Sequence, residues 1–189
     1  MSNATIEGES LSSKVARFRG NVPSLCKGQH AELIISTVNG SMSLPNNKKW
    51  IAQNIASLSA TPSTAFTLQG KIVIKDDVLG TELGSKNVSI TITPRTAMTL
   101  FLTPKAGAIE CKYATGAKRG LVSLTITNFF GYSTKAYLPN TAALGTYYTF
   151  KGLSSWVSYS VTAETEFELN PQEFIITETI TKSAKPTLF

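Results

Sequence analysis

The sequence predicts an all-β protein, an antiparallel β-sandwich of the jelly-roll kind with one or two short helices. Three observations lead there. The 189-residue chain holds 24 Thr and 20 Ser against 16% charged residues; Thr favours strands, and Ser suits loops and the solvent face of a sheet. Apolar residues alternate with these hydroxyls at period two, as in Val88, Ile90, Ile92 and in Met98, Leu100, Leu102, the mark of strands with one buried and one wet face. Gly, Pro and Asn recur between the runs, and two connections, 76–86 and 131–145, are too long for tight hairpins. Mixed short turns and long crossings favour a Greek-key or jelly-roll sandwich over an up-and-down barrel.

Residues 1–30 read as an amino-terminal arm, mildly basic and partly mobile, with a polar stretch over 1–13. A short helix over 13–19 is expected within it, capped by Ser12 or Ser13, with Val15 and Phe18 on one side and Pro23 barring continuation. The sandwich domain spans 31–182. Strands are expected at 32–38, 41–44, 65–68, 71–75, 87–93, 97–103, 108–113, 121–128, 134–138, 146–151, 156–162, 166–169 and 173–181. The segment "KKWIAQNIASLSA" departs from period two: Trp50, Ile51, Ile55 and Leu58 fit helical spacing, which places a second short helix there. Pro94 cannot donate to a ladder and should lie outside the paired regions. Residues 183–189 read as a tail in which Pro186 ends any strand. No internal repeat is detectable.

Net charge is +6. Between Lys86 and Lys151 lie eight basic residues and one acid, Glu110, whereas residues 162–189 hold two basic residues and five acids. Opposite patches on one small domain suit head-to-tail self-association. Cys26 and Cys111 are far apart, and His30 is the single histidine, so no metal site is expected and the cysteines should be free thiols. The first residues lack the apolar run of a signal peptide, and no segment reaches the roughly 18 apolar residues of a membrane-spanning helix. No membrane partner is therefore expected.

No catalytic set emerges, so the chain is not expected to be an enzyme, and no cofactor is implied. The adjacent carboxylates Asp76 and Asp77 suit the opening of a turn. Neither a GxSxG elbow nor a phosphate-cradling glycine loop occurs. Basic residues interleaved with aromatics are the footprint of nucleic-acid binding, and "KVARFRGN" has it, with Phe18 between Arg17 and Arg19. Lys48, Lys49 and Trp50 offer a second instance. The candidate RNA contacts are Lys14, Arg17, Arg19 and Lys27 in the arm, with Lys118 and Arg119 in "ATGAKRGL", which resembles a basic hairpin tip.

A mid-sized sandwich, a basic arm and the lack of a catalytic set resemble the jelly-roll coat proteins of small positive-strand RNA viruses of plants, those related to bromoviruses, tymoviruses and ourmiaviruses among them. The resemblance covers architecture and composition and rests on no family-specific motif. It implies a capsid subunit that self-assembles into a shell and binds single-stranded genomic RNA through phosphate contacts, found in the virion and, before assembly, in host cytoplasm. One departure is that residues 1–30 set four basic residues against Glu7 and Glu9. The alternatives are a cytosolic β-sandwich recognition module, lectin-like or membrane-active, and a non-capsid viral RNA-binding or movement protein. The recognition reading rests on the hydroxyl-rich surface and on the aromatics of "YYTF" and "SSWVSY".

Overall fold

A computed structural model describes residues 3–45, 49–118, 121–139 and 147–188. Among the described residues the structure is all-β, with antiparallel sheets and one turn of helix, and the chain divides into two compact units, Met1–Pro94 and Arg95–Phe189.

The first unit contains strands β1 (Thr5–Ser10), β2 (Val15–Asn21), β3 (Gln29–Thr37), β4 (Gly40–Pro45), β5 (Ile51–Asn54), β6 (Phe66–Asp76) and β7 (Glu82–Ile92), with helix α1 (Ile55–Leu58) after β5. They form a three-stranded sheet ordered β1-β2-β5 and a four-stranded sheet ordered β4-β3-β6-β7. Phe18, Leu33, Ile35, Ile55, Leu68, Ile72 and Ile92 belong to its core.

The second unit contains β8 (Thr99–Lys105), β9 (Ala108–Ala114), β10 (Leu121–Asn128), β11 (Ser133–Pro139), β12 (Tyr147–Lys151), β13 (Tyr159–Asn170) and β14 (Glu173–Ala184). Its sheets are ordered β12-β9-β8 and β11-β10-β13-β14. Leu100, Ile109, Tyr113, Leu124, Ile126 and Val161 belong to a separate core. The carboxylate of the buried Glu178, on β14, accepts the backbone N–H of Met98 at 3.0 Å, just before β8.

The same plan is built twice. In each unit the first, second and fifth strands share one sheet, and the fourth, third, sixth and seventh share the other. The repeat is one of topology, and it escapes sequence inspection because period-two alternation encodes faces without encoding strand order.

Several expectations are corrected. The single sandwich over 31–182 is two units, each with seven described strands in sheets of three and four. The boundary falls in the segment around Pro94, between Ile92 of one core and Met98 of the other. The arm over 1–30 supplies β1 and β2, and the helix expected over 13–19 is strand β2. Ala16, Phe18 and Gly20 are buried while Arg17 and Arg19 are less so, which is period two and not a helical stripe. Ser12 does accept the N–H groups of Lys14 and Val15, at 3.1 and 3.2 Å, but it closes the β1–β2 turn; hydroxyl capping is common to turns and helix starts. The second expected helix is split into β5 and the single turn of α1. In the tail, Thr187 forms a parallel bridge with Ala106 and donates its N–H to the Lys105 carbonyl at 3.0 Å.

The abundant hydroxyls pair across strands. Ser160 meets Ser183 at 3.1 Å, Thr162 meets Thr181 at 2.8 Å, and Thr165 meets Thr177 at 2.8 Å. Such cross-strand pairs reinforce register.

Cys111 is fully buried and Cys26 exposed, both as free thiols. Burial, reinforced by the Glu110 carboxylate, pushes the Cys111 thiol up to about 12. The thiolate is the reactive form, so an aromatic disulfide reagent at neutral pH should modify one thiol per native chain, Cys26, and two per chain in denaturant. Two fast-reacting thiols in the native protein would contradict this packing.

Candidate functional site

Of the cations expected to meet RNA, Arg17 and Arg19 are held by partners within the first unit. Arg17 and Arg19 stand on one face of β2, opposite Glu9 and Glu7 of β1 in the strand register. Arg17 donates Nε and Nη2 to Glu9 at 2.8 and 2.5 Å, and Arg19 donates Nε and Nη2 to Glu7 at 3.0 and 2.8 Å. Trp50 packs under both guanidinium groups, with ring-centroid distances of 4.2 and 4.5 Å. The two acids that set this segment apart from a basic arm are thus the partners of its arginines. Lys14 is exposed in the β1–β2 turn and Lys27 in the β2–β3 connection. Lys118 is half-buried in the second unit, and Arg119 and Lys48 lie outside the described residues.

The histidine and the paired aspartates have structural partners. His30 Nδ1 lies 2.7 Å from Asp77, while Glu32 accepts from Lys75 at 2.8 Å. The Lys75 ammonium, with help from Ser43, draws the Glu32 carboxyl below its usual range. Asp76 accepts the N–H groups of Val78 and Leu79 at 2.9 and 2.8 Å, so it opens a turn, as the sequence indicates. Among the described residues, no group of three or more His, Cys, Asp or Glu side chains is placed to hold a metal ion.

The most concentrated chemistry lies at one end of the second unit. Asn128 closes β10, and its register partner is Tyr159, the first residue of β13; Tyr159 in turn pairs with Ala184 at the end of β14. From this end project the turn 128–132 and the loop 152–158. The turn is tightly held. Asn128 Oδ1 accepts the N–H groups of Phe130 and Tyr132 at 2.9 and 3.0 Å, and Gly131 adopts a φ of 83°, which suits glycine. The loop is pinned at its root. Leu153 is buried and donates its N–H to Gly107 at 2.9 Å, and Ser154 donates its N–H to the Tyr159 hydroxyl at 3.0 Å. Tyr132 stacks edge-on against Tyr159 at 5.9 Å.

With the backbone so restrained, three large side chains of the turn and loop face water. Phe129 is 95% exposed, Phe130 77% and Trp156 77%. The Trp156 exposure agrees with the reading of "SSWVSY"; in "YYTF", by contrast, Phe150 is a core residue and packs against Tyr148 at 4.9 Å. "NFFG" is the signal that sequence reasoning passed over: two phenylalanines between Asn and Gly, residue types that favour turns.

No family model matches the chain, and no curated protein matches it. Solved structures do. A two-domain fibronectin type III segment of chicken tenascin is 11% identical, with a TM-score of 0.40, over 95% of this chain and 97% of that one. The chicken interferon gamma receptor alpha chain is 9% identical, with a TM-score of 0.43, over 97% and 98%. The FN1-FN3 domains of chicken CNTN1 are 7% identical, with a TM-score of 0.38. That match covers 95% of this chain, which spans 63% of the CNTN1 segment.

Proposed function

We propose that the chain is a non-catalytic recognition module, two tandem β-sandwiches of which the second presents a binding surface on its end turns. The observation that carries this reading is the exposed set Phe129, Phe130 and Trp156 on a hydrogen-bonded frame. Clustered large apolar side chains in water mark interaction sites, and restraint of the backbone before binding lowers the ordering cost of association. The coat-subunit and RNA-binding readings draw less support. Of the cations they rest on, Arg17 and Arg19 are engaged by carboxylates and by Trp50, while Lys14 and Lys27 are exposed and Lys118 is half-buried.

The test compares the wild-type chain with the triple variant Phe129→Ser, Phe130→Ser, Trp156→Ser against a glycan array, lipid vesicles and single-stranded RNA. These side chains lie outside the core, so the variant should keep the wild-type melting temperature. It should lose the captured ligand class while the wild type retains it. Closed particles in negative stain, with RNA retained by the triple variant, would instead favour the coat subunit.

A further inference from the structure

We infer that the aromatic end of the second unit is a docking surface for an anionic lipid bilayer, with Phe129, Phe130 and Trp156 inserting and a ring of lysines meeting the headgroups. This inference rests on the recognition-module reading and names the partner of that surface.

The charge around the tip supports it. Four segments reach this end: the close of β8 with its turn, the β10–β11 turn, the loop before β13, and the end of β14 with the residues after it. Their connection is direct, since Leu153 bonds to Gly107, Ser154 to Tyr159, and Thr187 to Lys105. Across 99–107, 126–136, 149–163 and 180–188 there are five lysines and no carboxylate. Lys105, Lys135, Lys151, Lys182 and Lys185 are all exposed. The acids of β13 and β14 lie farther along: Glu164 stands opposite Thr179 within the strands, Glu178 is buried against the Met98 N–H, Glu166 and Glu168 lie toward the distant β13–β14 turn, and Glu173 begins β14. The second unit is thus positive where it is aromatic.

The chemistry of the tip favours lipid over nucleic acid. Phe129 and Phe130 meet at 82° with ring centroids 5.8 Å apart. They present a wedge at the apex of a turn, not the successive parallel faces on which unpaired bases stack. The cations in these segments are lysines without an arginine, which removes the planar group that reads phosphates in bidentate fashion and stacks on bases. Phenylalanine carries no polar handle, so full exposure to water has no compensation until the ring leaves it. Tryptophan and lysine suit the interfacial layer, where an indole sits at headgroup level and each cation gains from the negative surface potential. Neither component alone anchors firmly, and insertion combined with charge does.

The experiment is co-sedimentation of the full chain with phosphatidylcholine vesicles, with and without phosphatidylserine, alongside the glycan and RNA assays. The wild-type chain should partition onto the anionic vesicles, more weakly as salt is raised. The triple serine variant should lose at least about tenfold in partition. Tryptophan emission should shift to the blue on binding, and Trp156→Phe should abolish that shift while sedimentation persists. Charge reversal at Lys105 and Lys151, both to Glu, should weaken binding to anionic vesicles. No wild-type binding to anionic vesicles, or binding that the triple variant retains, overturns the inference. If the tip variant instead loses a glycan or RNA that the wild type captures, without any vesicle binding, the lipid assignment fails and the recognition reading stands. If the variant loses nothing, both fail.

Discussion

Phe18→Ala should lower the stability of the first unit by about 3–5 kcal/mol and leave the unfolding of the second unit where it was. Phe18 is fully buried on β2, the central strand of its sheet. Its register partners are Gly8 on β1 and Ile51 on β5. Glycine offers no side chain to relax into the space that the ring vacates, so a cavity penalty adds to the lost burial. Native domains hold only about 5–15 kcal/mol in total, so the loss is a large share. The readout is built in. Trp50 lies against Arg17 and Arg19, the neighbours of Phe18 along the strand. In a Trp156→Phe background, the Trp50 emission reports the first unit alone, and its melting point should fall by more than about 10 °C. A second-unit transition that moves by the same amount would contradict the division into two cores.

Leu124→Ala should have the converse effect, about 2–5 kcal/mol confined to the second unit. Leu124 is fully buried near the middle of β10. Its cross-strand partners are Ala136 on β11 and Ala163 on β13. Two small neighbours leave little that can rearrange to fill the gap, which places the cost toward the upper part of that span. Trp156 reports this unit in a Trp50→Phe background, and the two substitutions together should add, since their cores are separate. Non-additivity beyond about 0.5 kcal/mol would mean that the units share part of their cooperativity.

The period-two signal makes the sandwich class legible in the sequence. The faces of the inward residues follow it: Val88, Ile92, Met98 and Leu100 are buried and Ile90 and Leu102 half-buried, while Ser89, Thr91, Thr99 and Thr103 are exposed. The division at Pro94 is not legible by the same means, because Ile92 and Met98 read as equivalent inward residues and only the pairing assigns them to different cores. Phe18 between two arginines carries two meanings in sequence, a nucleic-acid footprint and an ordinary strand. What selects the strand is the register that sets Glu9 and Glu7 opposite those arginines, a relation between segments that no local window contains. The tip is half legible: Trp156 stands out among serines, whereas Phe129 and Phe130, just past the strand expected over 121–128, carry no mark of exposure until the Asn128 side chain is seen to close the turn.

The turn that carries those phenylalanines has a counterpart in the first unit, between the third and fourth strands of that sandwich. There Thr37 accepts the N–H of Asn39 at 3.3 Å, just as Asn128 accepts that of Phe130. One clasp, set by the first residue of the turn, holds Val38 and Asn39 in one copy and Phe129 and Phe130 in the other. The residues between clasp and strand lie outside both cores, so natural variation can rewrite them without a toll on folding. A duplicated frame of this kind separates evolvability from stability, and the same turns are the positions at which a foreign recognition loop should be accepted by graft.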